Sequence, residues 1–252
     1  MSVSVRAASL EEIAPLRQRY VDALACQVVR DSIHARPGWT TEYAIIGEES
    51  IIGYASVAVG GPWSGMPTVY EYHVEPRWRS SAFTCFEAFL AVCRPGAMTA
   101  QSNDILATVM LHTYARDVSV EAILFADVGA TSHCPDGATF RQPNPGEIGD
   151  IADPTGKWRG VVEWHGEIVA TGGAHLHYNH PYADLFMETS EPHRRRGFGA
   201  FLVQELKRMC YAEGRIPAAR CNVGNEASRR TLTSAGFAPC GHLLVGALDC
   251  GG

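Results

Sequence analysis

Two stretches of this chain carry the same plan. "VEPRWRSSAFTCFEAFL" (Val74–Leu90) and "SEPHRRRGFGAFLVQEL" (Ser190–Leu206) each set Glu-Pro before basic residues and then an apolar helix. Glu75 and Glu191 place them 116 residues apart. Around each, the pattern runs hairpin, strand, helix, strand, helix, strand. A repeat of that period means one structural unit used twice. A length of 252 residues suits one large or two small domains. The sequence therefore divides into a first unit, 1–135, and a second, 136–252.

In the first unit, "SVSVRAAS" alternates as a strand does. The helix "SLEEIAPLRQRYVDALACQVV" follows, with Ser9 as cap and Glu12 as its capping-box partner. "TEYAIIG" and "SIIGYASVAVGG" read as a hairpin and "PTVYEYHVEP" as a strand. Helices "SAFTCFEAFLAVC" and "DILATVMLHTYA" precede strand "VEAILFADV". From Thr131 to Lys157 come four prolines and four glycines, the mark of a linker with one or two short strands. Strands "RGVVEWHGEI", "VATGGAHLHY" and "ADLFMETS" then lead to helix "FGAFLVQELKRMCYAEG", strand "AARCNV", helix "NEASRRTLTSAG" and strand "HLLVGAL". On the long helix, Phe198, Leu202, Leu206 and Met209 share one face. The second unit shows no equivalent of the first helix. The fold class is α/β (α+β): two units, each a mixed, mainly antiparallel sheet flanked by helices.

Bulk properties narrow the function. A net charge of −6 argues against a nucleic-acid binder. No run of about 18 apolar residues offers a membrane span, and no apolar signal region opens the chain. None of the eight cysteines forms a C-x-x-C pair, so they read as reduced thiols of a cytoplasmic protein. Cys210 and Cys221 fall in a helix and a strand, as core thiols.

Arg194-x-x-Gly197-x-Gly199 lies between a strand and a helix. A helix start offers unpaired N–H groups and partial positive charge, and phosphates bind there. Glycine lets a pyrophosphate approach the backbone. The other reading is a solvated basic turn. Downstream, Asn225 opens the next helix as N-cap and Gly236 closes it. Strand, R-x-x-G-x-G, helix, strand, N-x-x-S, helix and Gly-Phe together resemble the GNAT N-acetyltransferase superfamily. The resemblance covers about Arg159 to Leu248. In layout the chain is similar to tandem members such as mycothiol synthase, with a degenerate first half.

That resemblance implies acetyl-CoA as co-substrate, with its pyrophosphate on the backbone amides of Arg195, Arg196, Gly197, Phe198, Gly199 and Ala200, and with Arg194 as a further cofactor-binding residue of the loop. It implies that the strand ending at Thr189 and Ser190 splays from its neighbour and pairs with the pantetheine arm. Asn225 and Ser228 sit at the family's N-x-x-S positions near the thiol. The implied reaction is N-acetylation: the amine of a small-molecule or amino-acid-like acceptor attacks the thioester directly. The family often has a tyrosine seven residues after the asparagine as general acid; this chain has Leu232.

For the base, Glu188 leads, and Asp184 shares its strand face. His177 is the second candidate, since histidine suits proton transfer near neutral pH. His175 and His177 on one strand face, with His180 nearby, raise zinc, but the histidines read better as cleft lining, so no metal is assigned. In the first unit Trp78, Ser81 and Phe83 stand where Arg194, Gly197 and Gly199 stand in the second. That unit is expected not to bind CoA. A homodimer is left open. The alternative function is a non-catalytic acyl-CoA-binding regulatory protein, favoured by Leu232.

Overall fold

A computed structural model describes residues 2–148 and 156–249. The chain begins with β1 (Val3–Ala8), α1 (Leu10–Leu24), β2 (Thr40–Gly47), β3 (Ser50–Ala58), β4 (Thr68–Val74), α2 (Ala82–Cys93), β5 (Ala97–Gln101) and α3 (Ile105–Tyr114). Next come β6 (Ala115–Asp127), β7 (Ala138–Arg141), β8 (Gly156–Trp164), β9 (Glu167–His175) and β10 (Tyr182–Thr189). The chain continues through α4 (Phe198–Ala212), β11 (Ile216–Asn222), α5 (Glu226–Ser234) and β12 (Phe237–Leu248). The strand pairing is mixed and mainly antiparallel, with helices against it.

Two units result, and neither is continuous in sequence. The first holds residues up to 25, then 30–121, and from 241 onward. The second holds 26–29 and 122–240. They differ from a single division at 135/136 in one main respect: β6 gives its second half to the second unit, and β12 gives most of its length to the first. β6 changes unit at Ala122, and Ala122–Ala126 pairs antiparallel with β11. β12 changes unit at Gly241, and Leu243–Ala247 pairs antiparallel with β5.

In the first unit, β1 through β4 form antiparallel neighbours. β4 and β5 run parallel through only two pairs, Thr68↔Ala97 and Val69↔Met98. Ser9 caps α1 by accepting the Glu12 N–H at 3.1 Å. That helix buries Ile13, Leu16 and Tyr20 against Tyr54. Phe86 and Phe89 of α2 pack with Tyr72, Val57 and Met98.

In the second unit, β7, β8, β9 and β10 form an antiparallel series. β10 then runs parallel to β11 through three pairs, the last Asp184↔Ala218. The sequence reading had broken the β8–β9 hairpin after Ile168. The turn lies earlier, at His165 (φ 52°) and Gly166 (φ 81°), because paired positive φ values make the turn that suits twisted strands. The expected linker supplies β7 and the start of β8, while its Gly149 and Pro154 lie outside the described residues. Among the described residues, no α-helix precedes α4 in this unit.

α4 is wrapped more completely than its sequence periodicity suggests. Phe198, Leu202 and Leu206 are buried as expected, and so are Phe201, Val203 and Cys210. Burial pushes the Cys210 thiol up to about 12, consistent with an inert core thiol. Lys207, mid-helix, is 1% exposed. Its ammonium lies 2.6 Å from Asp127 Oδ1 and donates to the carbonyls of Gly129, Ala235 (2.8 Å) and Gly236 (3.2 Å). A buried charge persists only with such partners.

Candidate cofactor cradle and acceptor site

Beyond Asp184↔Ala218 the parallel strands separate. β10 continues to Thr189 against β9, and β11 continues to Asn222 against β6. A wedge opens between 185–189 and 219–222, edged by main chain from both strands. A linear polar chain can lie there and pair with backbone as a strand would.

The loop closing the wedge is held by its own side chains. Ser190 donates through both N–H (3.0 Å) and Oγ (3.1 Å) to the Val169 carbonyl, and its Oγ meets His193 Nδ1 at 3.0 Å. Arg194 Nε donates to the Thr189 carbonyl at 3.2 Å. Arg196 lies over Trp164, 4.1 Å from the ring centroid. Arg195 adopts φ 63° and is exposed. The arginine side chains at 194 and 196 thus serve the loop, the Arg194 N–H donates to the Glu191 carbonyl at 3.3 Å, and what Arg195 and Arg196 offer a ligand is backbone N–H.

Gly197 is the N-cap of α4 at φ 86°, a conformation that side chains disfavour. Gly199 serves by its smallness. A Cβ there would sit 3.0 Å from Thr189 Oγ1 and 3.2 Å from Thr231 Cγ2. The missing side chains let α4 start against the end of β10, with its first-turn N–H groups unpaired within the helix. These residues fit a diphosphate: a cradle of backbone donors at a helix N-terminus, with glycine where a side chain would fill it. Phe198 and Ala200 turn their side chains into the core.

Asn225 caps α5, accepting the Ser228 N–H at 3.0 Å. Ser228 also lies beside Cys221, whose thiol burial pushes up. Leu232 is 1% exposed and belongs to the core, so the position carries no acid. Arg230 pairs with Glu226 at 2.6 Å on the exposed side of α5.

At the vertex of the wedge, Asp184 is buried. Its Oδ2 lies 2.8 Å from His177 Nε2 and 3.8 Å from Arg220 Nε. β9 ends at His175, so His177 does not share its strand face as expected. The chain turns instead and stacks the two rings 5.4 Å apart at 6°. His175 also meets Phe186 at 4.6 Å. Tyr178 is buried beside this pair, its phenol pushed well above the usual range by burial and then by Asp184. Glu188 lies further along β10 and is exposed. The His177–Asp184 bond was not foreseen, though both residues had been singled out. Among the described residues no group of three or more His, Cys, Asp or Glu is arranged to hold a metal ion.

The corresponding loop of the first unit is built differently. Pro76–Ser81 forms a 3₁₀ turn, and Ser81, at φ −103°, caps α2 without a side-chain bond. Phe83 stands where Gly199 does and is 48% exposed. Below that sheet lies a buried charge network that sequence reading missed. Arg17 binds Glu71 (2.9 Å) and Asp31 (2.6 Å), His34 lies 3.1 Å from Glu42 and 3.3 Å from Glu71, and Tyr54 donates to Glu71 at 3.0 Å. Burial would lower the His34 imidazole, but Glu42 and Glu71 carry it up to about 9. Burial would raise Glu71, but Arg17 and His34 hold it at about 2.

Residues 129–237 match the family model for the acetyltransferase (GNAT) family. This segment, less than half of the chain, is similar to the GNAT acetyltransferase domain. Whole-chain similarity extends to solved structures. A GNAT-family acetyltransferase from Colwellia psychrerythraea aligns with TM-score 0.72 at 12% identity, covering 98% of this chain and 100% of that one. A GCN5-related N-acetyltransferase from Sphaerobacter thermophilus gives TM-score 0.62 at 16% identity, covering 96% and 94%. A tandem GNAT protein from the clavulanic acid biosynthesis pathway gives 0.57 at 10%, covering 100% and 99%. At these identities the likeness is one of fold. No curated protein matches the chain.

Proposed function

We propose that the second unit transfers the acetyl group of acetyl-CoA to the amine of a small-molecule or amino-acid-like acceptor. The observation that carries this reading is the wedge whose vertex holds the His177–Asp184 pair and whose mouth opens onto the glycine cradle. Bound acetyl-CoA supplies an acetyl thioester, and the amine nitrogen forms a C–N bond as the C–S bond breaks.

The chain's residues have separate tasks. Backbone N–H groups from Arg195 to Ala200 take the diphosphate. Main chain of Thr189 and the facing β11 edge align the pantetheine arm, with Asn225 and Ser228 bordering it. Asp184 accepts the His177 Nε2–H, which leaves Nδ1 to take the proton that the attacking amine sheds. Asp184 then faces the resulting imidazolium, as a carboxylate does behind a catalytic histidine. Water protonates the departing thiolate, since Leu232 offers no donor. The exposed Glu188 remains the competing base. The first unit, without αL glycine at its loop, takes no CoA.

Leu232 favours one second reading: a non-catalytic acyl-CoA-binding regulator. Thiol release from acetyl-CoA over a panel of amines separates the two. Turnover with any amine supports the enzyme; CoA binding with no turnover across the panel supports the regulator. No helix among the described residues is long and apolar enough to cross a membrane.

A further inference from the structure

The glycine at the head of α4 has a close neighbour that no motif announces. A Cβ added to Gly197 would fall on the His133 ring, whose Nε2 is the nearest heavy atom to it. An N-cap normally supplies a side-chain acceptor to the first-turn N–H groups. Gly197 supplies none, and the His133 ring, from 64 residues upstream, lies beside it. The ring is exposed, so burial does not explain its position.

The segment carrying His133 is fastened on both sides of it. Val128 N–H donates to the Gly236 carbonyl at 3.0 Å, and Lys207 Nζ donates to the Gly129 carbonyl. Thr131 Oγ1 donates to Gln204 Oε1 at 2.9 Å, and Gln204 is 3% exposed on α4. After His133, Trp164 Nε1 donates to the Asp136 carbonyl at 3.0 Å. The strap from 128 to 137 is therefore tied to α4 and β8, and its free middle lies over the cradle. Meanwhile Arg194 is bonded to Thr189 and Arg196 rests on Trp164.

We infer that His133 is a side-chain ligand of the cofactor diphosphate, flanking it on the Gly197 side while backbone N–H groups hold it from the helix. This inference rests on the acetyl-CoA reading above. A ring nitrogen can donate to a phosphate oxygen, and a charged imidazole makes the stronger, charge-assisted bond. His133 does not touch the thioester, so it acts on affinity and leaves the chemical step alone.

The test is calorimetric titration of the full chain with CoA and with 3′-dephospho-CoA. His133→Ala should weaken both by about tenfold, as loss of one charge-assisted phosphate contact does, because both probes keep the diphosphate. His133→Lys should keep most of the affinity. In the wild type, the His133 ring resonance should shift on adding CoA and stay fixed on adding pantetheine, which lacks phosphate. If His133→Ala binds CoA as tightly as the wild type, or tighter, the inference is overturned; tighter binding would mark the ring as an obstruction. A loss confined to CoA, with 3′-dephospho-CoA unaffected, overturns it as well, moving the contact to the 3′-phosphate. If the wild type itself binds neither probe, the acetyl-CoA reading has failed first.

Discussion

His177 and Asp184 are seven residues apart in sequence, and their side chains meet at 2.8 Å across the turn between β9 and β10. The carboxylate is buried at the point where β10 and β11 part, and it holds the ring at the vertex of the wedge.

Removing either partner should slow transfer and spare cofactor binding. His177→Gln and Asp184→Asn should each lower kcat/KM by roughly a hundredfold, the usual worth of a positioned base, while the CoA Kd stays unchanged. Glu188→Gln should change it by less than about threefold, as for a solvated carboxylate. Thiol release at saturating acceptor measures both. A collapse in Glu188→Gln with a near-normal His177→Gln would transfer the base to Glu188.

The cradle should fail when its glycines are filled. Gly197→Val forces a β-branched residue to φ 86° and into His133, and Gly199→Val pushes against Thr189 and Thr231. Each should weaken CoA binding by roughly a hundredfold or more, given the strain at such positions. Far-UV circular dichroism should stay native. Binding within threefold of wild type in both variants would remove the cradle from the site.

Lys207 should prove structural. Lys207→Met takes the ammonium from the half-buried Asp127, which keeps only the Gly129 N–H and the Tyr211 hydroxyl, and from three backbone carbonyls, and should cost about 2–4 kcal/mol in urea unfolding. Adding Asp127→Asn should restore part of it, because the amide carries no charge and still hydrogen-bonds Gly129 and Tyr211. A double variant no more stable than the single one would contradict that account.

The His34 network makes a pH signature. His34 rises from 6.5 unfolded to about 9 folded, so its stabilisation is complete below pH 6.5 and is lost as pH climbs toward 9. Glu71 falls from 4.5 to about 2, so its share is complete above pH 4.5 and is lost as pH drops toward 2. The melting temperature should therefore decline from pH 6.5 to 9 and again below 4.5. His34→Gln should flatten the alkaline decline. An equal decline in that variant would assign the effect to another group.

What could be read along the chain was whatever nearby residues decide. The glycine loop, the Ser9 and Asn225 caps and the face of α4 declare themselves within a turn or two of helix. The hairpin turn at His165–Gly166 was legible too, since His-Gly before a new apolar run is a turn signal, but unbroken strand propensity on both sides obscured it. The rest depends on distant partners. Lys207 looks like a solvent residue until Asp127, 80 positions earlier, comes beside it. His133 falls in a stretch that reads as a linker, and only the path of the strap brings it to Gly197. Glu71, Arg17 and His34 come from three separate elements, and no local periodicity links them.

The strand Leu243–Ala247 has a consequence in time. The sheet of the first unit is complete only when this strand pairs with β5, yet a ribosome makes it after every residue of the second unit. N-terminal domains commonly fold first during synthesis. Here the first unit must wait with the Ala97–Gln101 edge uncovered until translation reaches Ala247. An exposed strand edge invites pairing with other chains, so slow translation between Gln101 and Ala247 should favour aggregation of the nascent chain over its folding.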